Sequence, residues 1–217
     1  MTPSHGLLAG IRARNNKNIP LFAMIRPRAG DFLYTAREVE QMLLEINELK
    51  KANLADGFVF GALLPNGDVD VDNCKLLIDM CAPLPATFHR AFDVCGDPIP
   101  AVDAIIALGF TRILTSGQQP NAECGIDVLK CLATAEHNAK ITIVPGCGIN
   151  HMNLETILRE THAKEFHSSA SKVVRSKMAF RKDTVGMGKQ SSGHEFEWSQ
   201  CDEERVRCMI AIADRFA

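Results

Sequence analysis

The sequence has no excess of either charge: 24 lysines and arginines against 26 aspartates and glutamates leave a formal net charge of −2. A general nucleic-acid binder would carry a basic surplus, so that class is set aside. No apolar run approaches the roughly 20 residues that a membrane-spanning helix needs. Met1 to Gly10 offers neither a basic start nor a long apolar stretch, so no secretory signal is expected there. The eight cysteines contain no Cys-x-x-Cys spacing. Cys74/Cys81, Cys124/Cys131 and Cys201/Cys208 fall seven apart in segments that read as helical. Such pairs are separated by about 10 Å along a helix, too far for a disulfide. Reduced cysteines serving as small core residues follow from this, and the cytoplasm is the compartment that fits them, with the nucleus as a second location.

What is present is a repeating alternation. The 217 residues are enough for one sizeable core. Thr2-Pro3-Ser4 reads as a helix start for Leu7, Leu8 and Ile11. Ile19 to Ile25 is a continuous apolar run, as in a strand buried on both faces, and it ends in Arg26-Pro27-Arg28-Ala29-Gly30-Asp31. Thr35-x-x-Glu38 is a capping box for a helix to about Lys51. Further strands are expected at 55–62, 85–89, 111–114, 140–144 and 164–167. Helices are expected at 72–80, from Asp97-Pro98 to Leu108-Gly109, at 123–135 and at 153–159. Six strands with helices between them have the spacing of βαβ units, which implies a parallel sheet with helices outside it. No composition break divides the chain, so 1–217 reads as one domain. The polar stretch 171–200 is expected to be a long loop, a lid or a partner-binding segment, and Ser199 is expected to open a last amphipathic helix.

The chemistry gathers at the strand ends. Thr87-Phe88-His89-Arg90-Ala91-Phe92-Asp93 delivers a histidine, an arginine and an aspartate as its strand finishes. In isolation, His89 is equally well a satisfied core histidine and Arg90–Asp93 a local ion pair. In α/β proteins, however, ligands sit beyond the carboxyl ends of the strands. Those ends also carry Arg26, Arg28, Asp31, Ser116, Gln118, Gly146, Gly148, His167, Ser168 and Ser169. Arginine forks suit carboxylate or phosphate, and a Gly-x-Gly turn before a helix exposes N–H groups to an anion. An anion pocket built from Arg26, Arg28, Ser116, Gly146, Gly148 and Ser168 is therefore expected. His89, Arg90, Asp93 and His167 are the catalytic candidates, with either imidazole as general acid–base. Metal binding has weaker local support: Cys95 and Cys147 lie near the mouth without a chelating spacing, and Met187 reads as packing.

Met24-Ile25-Arg26-Pro27-Arg28-Ala29-Gly30-Asp31-Phe32, Thr87 to Asp93, Leu114-Thr115-Ser116-Gly117 and Glu165-Phe166-His167-Ser168-Ser169-Ala170 occur in an order that resembles the CutC copper homeostasis family, its vertebrate-like members above all. The resemblance implies a TIM-type (β/α)8 barrel, homo-oligomeric assembly and copper(I) as the bound ion. Set against the family pattern, two initial strands and a helix, with a Glu-Leu-Cys strand end, are expected to be missing before Thr2. The barrel is accordingly expected to be incomplete, with six recognisable strands and two open edges. Cys147 stands where the family usually has glycine. Three functional expectations follow. The first is copper(I) binding for buffering or delivery. The second is an enzyme acting on a phosphorylated or carboxylated small molecule. The third is a form that is inactive or works only by associating with full-length subunits.

Overall fold

The computed structural model describes residues 1–133, 137, 139–182, 185 and 196–216. After a first helix α1 (His5–Arg12), five strands lie side by side in chain order. They are β1 (Phe22–Met24), β2 (Gly57–Phe60), β3 (Ala86–Phe88), β4 (Arg112–Thr115) and β5 (Thr142–Pro145). Every neighbouring pair is parallel. Parallel neighbours need a crossover between them, and α2 (Ala36–Lys51), α3 (Val71–Cys81), α4 (Pro98–Leu108) and α5 (Ile126–Leu132) supply it. A sixth helix, α6 (Leu154–Thr161), follows β5. The strands are largely apolar, with Thr87, Arg112, Thr115 and Thr142 as the polar exceptions, because helices cover one face and the barrel interior the other. Phe58, Phe60, Phe88, Ile113 and the helix residues Met42, Ile46, Leu77, Ile105 and Leu129 are fully buried.

Local sequence explains the helix ends. The Thr35 hydroxyl accepts the Glu38 N–H at 3.3 Å and the Glu38 carboxylate accepts the Thr35 N–H at 2.7 Å, so the expected capping box forms. Val39, Met42, Ile46 and Leu49 then bury one stripe of α2. Asp97 caps α4, Pro98 occupies its first turn, and Gly109 closes it with a φ of 93°, a conformation that suits glycine.

The second half departs from expectation in three places. Residues 164–167 form no regular strand among the described residues. The His167 N–H donates to the Pro145 carbonyl at 2.8 Å, but Lys164 and Glu165 interrupt the apolar run that a buried parallel strand requires. The polar stretch after residue 170 begins with β6 (Ser171–Arg175) and ends with β7 (Glu197–Cys201), paired as an antiparallel ribbon. Ser199 therefore lies in a strand, and the last helix, α7 (Glu203–Ala213), starts later on the Asp202 cap. The Gly-Met-Gly at 186–188, with Met187, lies outside the described residues, as do residues 134–135 of the expected 123–135 helix. All eight cysteines are free, but only Cys74, Cys81 and Cys95 are buried; Cys124, Cys131, Cys201 and Cys208 are exposed. The core-residue reading thus holds for three of them and fails for four that sit on outward faces.

The capping box gives a direct test. Thr35→Ala removes the hydroxyl that accepts the Glu38 N–H, leaving the Thr35 backbone N–H on the Glu38 carboxylate, and should lower stability by about 1 kcal/mol. A urea unfolding midpoint that stays at the wild-type value would show that α2 is held by packing alone.

Candidate functional site

The carboxyl ends of β1, β3, β4 and β5 open into one cavity of about 480 Å³, within the range of small-molecule sites, about 300–1,000 Å³. Its wall on the β1 side is a stack. The Arg26 guanidinium lies 4.4 Å from the centre of the Phe32 ring, and Phe32 meets the His89 ring edge-on at 4.7 Å. The turn Pro27–Gly30 bends the chain so that Arg26 donates to the Gly30 carbonyl at 2.7 Å. The Arg26 Nε is buried without a partner. Arg28, two residues on, points elsewhere. It pairs with Glu38 at 2.5 Å and Asp31 at 2.9 Å and donates to the Leu33 carbonyl at 2.7 Å. It ties the turn to α2 and takes no part in the cavity.

His89 ends β3 with 3% exposure. Gly61 on the neighbouring strand makes room for it, since a Cβ there would come within 2.9 Å of the Phe88 ring and 3.0 Å of the His89 Nδ1. The Ala91 N–H donates to Nδ1 at 3.3 Å, so the proton of the neutral ring is on Nε2. That Nε2 is buried, has no partner, and belongs to a residue lining the cavity. Burial, with Arg26 nearby, pushes the imidazole down to about 3. His89 is therefore a neutral hydrogen-bond donor near pH 7 rather than a group that cycles through imidazolium. His167, on the opposite wall, is also lowered by burial.

Arg90 and Asp93 follow in a short 3-10 turn (Arg90–Val94). The Asp93 side chain is 5% exposed and accepts from Arg90 Nε at 2.6 Å. It also accepts from the Thr115 hydroxyl at 2.5 Å and from the Ser116 and Gln118 N–H groups at 2.9 and 3.2 Å. Asp93 thus stands behind the cavity and aims Arg90 into it. Ser116 is fully buried and accepts from Arg90 at 3.0 Å, so it supports the arginine and does not face the cavity. Gly146 is not a cavity residue either. A Cβ there would come within 2.5 Å of the Leu114 side chain, so packing accounts for the glycine. Cys95 is buried away from the mouth, receives the Gln118 amide at 3.2 Å, and has its thiol pushed up to about 11.

Gly148, Ser168 and Cys147 do line the cavity. The Ser168 hydroxyl donates to the Ile149 carbonyl at 2.7 Å. Cys147 takes a φ of 76°, a conformation costly to any residue with a Cβ, and donates weakly to the Pro120 carbonyl at 3.3 Å. Residues not foreseen as site members complete the wall: Met24, Phe32, His151 and, from the last helix, Arg205 and Met209. Their signal was faint. Only the spacing of Arg205 and Met209, one helical turn apart, places those two on a common face. Among the described residues, the lining holds three arginines and three histidines and no carboxylate. Among the described residues, no three His, Cys, Asp or Glu side chains converge as a metal-binding group.

A parallel α/β sheet with its cavity at the strand carboxyl ends defines the barrel class of small-molecule sites. The CutC family model matches residues 1–172. A CutC family protein of Parabacteroides distasonis is 47% identical over 209 residues, covering 96% of this chain and 85% of that protein. A human protein named copper homeostasis protein cutC homolog is 44% identical over 212 residues, covering 98% and 76%. The solved structure of CutC from Streptococcus agalactiae superposes with a TM-score of 0.70 at 34% identity, over 77% of this chain and 81% of that one. This chain belongs to the CutC family. Its fold is the TIM-type barrel of that family, here an unclosed five-stranded arc. No helix among the described residues is long and apolar enough to cross a membrane.

The buried histidine gives this site a pH signature. The folded-state value of His89 lies below its ordinary 6.5, so the unfolded chain binds more protons between the two. Its contribution to stability is intact above about 6.5 and falls as pH drops toward 3, by at most about 1.4 kcal/mol per unit. Urea unfolding at pH 7.0 and 5.0, roughly, should show this loss. His89→Gln should flatten it, and an unchanged slope in that variant would assign the loss to other groups.

Proposed function

We propose that this CutC-family protein works by holding a small phosphorylated or carboxylated molecule in its mouth cavity. The observation that carries this reading is a lining that has three arginines and no carboxylate among the described residues. Guanidinium groups that outnumber the carboxylates reaching the cleft wall favour an oxyanion. Two buried donors support it further: His89 Nε2 and Arg26 Nε have no hydrogen-bond partner among the described residues, although the Tyr34 hydroxyl lies beside Arg26, and burying a donor unpaired is costly. Arg26 and Arg90 hold the anionic end, with Asp93 fixing the second. The His89 Nε2–H donates to a carbonyl or developing alkoxide of the ligand, as a neutral imidazole can. His167 is then the group that exchanges a proton with it.

Copper(I) binding for buffering or delivery is the second reading. Relatives are named for copper homeostasis, and the same cavity collects the soft donors Met24 and Cys147 beside His151 and His167. Thioether, thiol and imidazole suit copper(I). Cys95 drops out of this donor set, being buried elsewhere with a raised thiol. The free thiols fit work in the reducing cytoplasm, the nucleus included, and assembly as a homo-oligomer is part of the proposal.

Calorimetric titration with inorganic phosphate separates these readings. Arg26→Gln and His89→Gln should each weaken binding by about tenfold or more, with unfolding midpoints used to confirm that the variants are folded. If wild-type protein binds no phosphate at millimolar concentration, and buffered copper(I) raises its anaerobic unfolding transition by an amount that Cys147→Ser removes, the copper reading replaces the first.

A further inference from the structure

We infer that the mouth has a second anion-recognition point, Arg205 on α7, and that its ligand is a small metabolite with an anionic group at each end. One end lies between Arg26 and Arg90, and Arg205 reads the other. This rests on the oxyanion reading above and narrows it to a class, the phosphorylated acids and bisphosphates.

Arg205 is fixed where it stands by the chain around it. The Asp202 N–H donates to the Ala170 carbonyl at 2.8 Å, which anchors the start of α7 to the cavity rim. The Asp202 carboxylate accepts the Arg205 N–H at 3.0 Å, and the Arg205 guanidinium donates to the Ser171 carbonyl. One turn later Met209 is 5% exposed and lines the same cavity. The helix face that carries Arg205 is therefore the face turned to the mouth.

The other charges near it are spoken for. Arg207 pairs with Glu203 at 2.5 Å, Arg215 with Glu155 at 2.8 Å, and Lys172 with Asp202. Among the described residues no carboxylate pairs with Arg205, although Glu203 and Glu204 lie close in sequence. An arginine beside a cavity, held by one carbonyl and with the nearby Asp202 charge already paired to Lys172, keeps most of its donors for a ligand.

Position decides that this is a second point. Arg26 follows β1, at one edge of the sheet order β1-β2-β3-β4-β5. Arg205 sits on a helix that packs against α6, beyond the other edge. Both line one cavity, reached from elements at opposite ends of the strand order. The volume of about 480 Å³ exceeds what a lone phosphate fills. Phe32, Leu114 and Ile149 between them offer apolar wall for a carbon skeleton.

The test is calorimetric titration of the full chain with two pairs of probes: glycerol phosphate against phosphoglycerate, and fructose monophosphate against fructose bisphosphate. Wild-type protein should prefer the two-ended member of at least one pair by about tenfold. Arg205→Gln should erase that preference while leaving the one-ended member's affinity within about twofold. Arg207→Gln, the same charge change on the outward face of α7, should leave the preference in place. Equal affinity within both pairs, or a preference that survives Arg205→Gln, overturns the inference while the oxyanion reading stands. No binding of any probe by wild-type protein removes both.

Discussion

The buried carboxylate of Asp93 is the constraint on which the site depends. It is almost fully withdrawn from water and accepts from Arg90, the Thr115 hydroxyl and the Ser116 and Gln118 N–H groups. A carboxylate so placed is tolerable only because every direction around it offers a donor. Those donors come from the turn after β3 and from the loop after β4, so one side chain fastens two strand ends together. Arg90 is aimed as a by-product of that fastening. Its charge near the cavity is partly offset behind the wall, as Asp202 partly offsets Arg205, whereas no carboxylate pairs with Arg26 among the described residues.

The loop after β4 shows how tightly the fastening is drawn. Gly117 has a φ of 70°, and a Cβ there would come within 2.5 Å of the Gly125 carbonyl oxygen. The two backbone segments lie close enough that only glycine fits. This close approach seats Ser116 beneath Arg90 instead of beside a ligand. It is the physical reason a polar strand-end residue became a support for the site and not a member of its lining.

Much of this was legible before any coordinates. The capping box, the apolar strand runs and the His89-Arg90-Asp93 cluster rest on short-range rules, and the five parallel strands follow from their alternation with helices. Arg26 and Arg28 could not be separated in that way. They flank Pro27 in a turn, and the turn's path, ending on Gly30 at a φ of 94°, decides which one faces inward. Arg205 was out of reach for another reason. Its position depends on an antiparallel ribbon whose strands are separated by more than twenty residues, and on the Asp202 to Ala170 backbone bond that closes it. Such long-range closure leaves no local pattern to read. Cys147 was visible as a thiol near the mouth, while its left-handed backbone was not.

On the proposed oxyanion reading, a cleft lined with cations and with no carboxylate among the described residues also behaves as an ion exchanger toward whatever solution surrounds it. Phosphate, sulfate and citrate in a purification or crystallisation buffer carry the same oxyanions that the lining favours, and they compete in proportion to concentration. Apparent affinities for metabolites will therefore shift with the choice of buffer salt, and with total ionic strength because part of the cavity is open to screening. On the proposed copper(I) reading the same competition applies, since a soft cation brought to Met24 and Cys147 would enter a positive field. An anion already seated there would lower that barrier, and the order of loading would then become a property of the medium as much as of the protein.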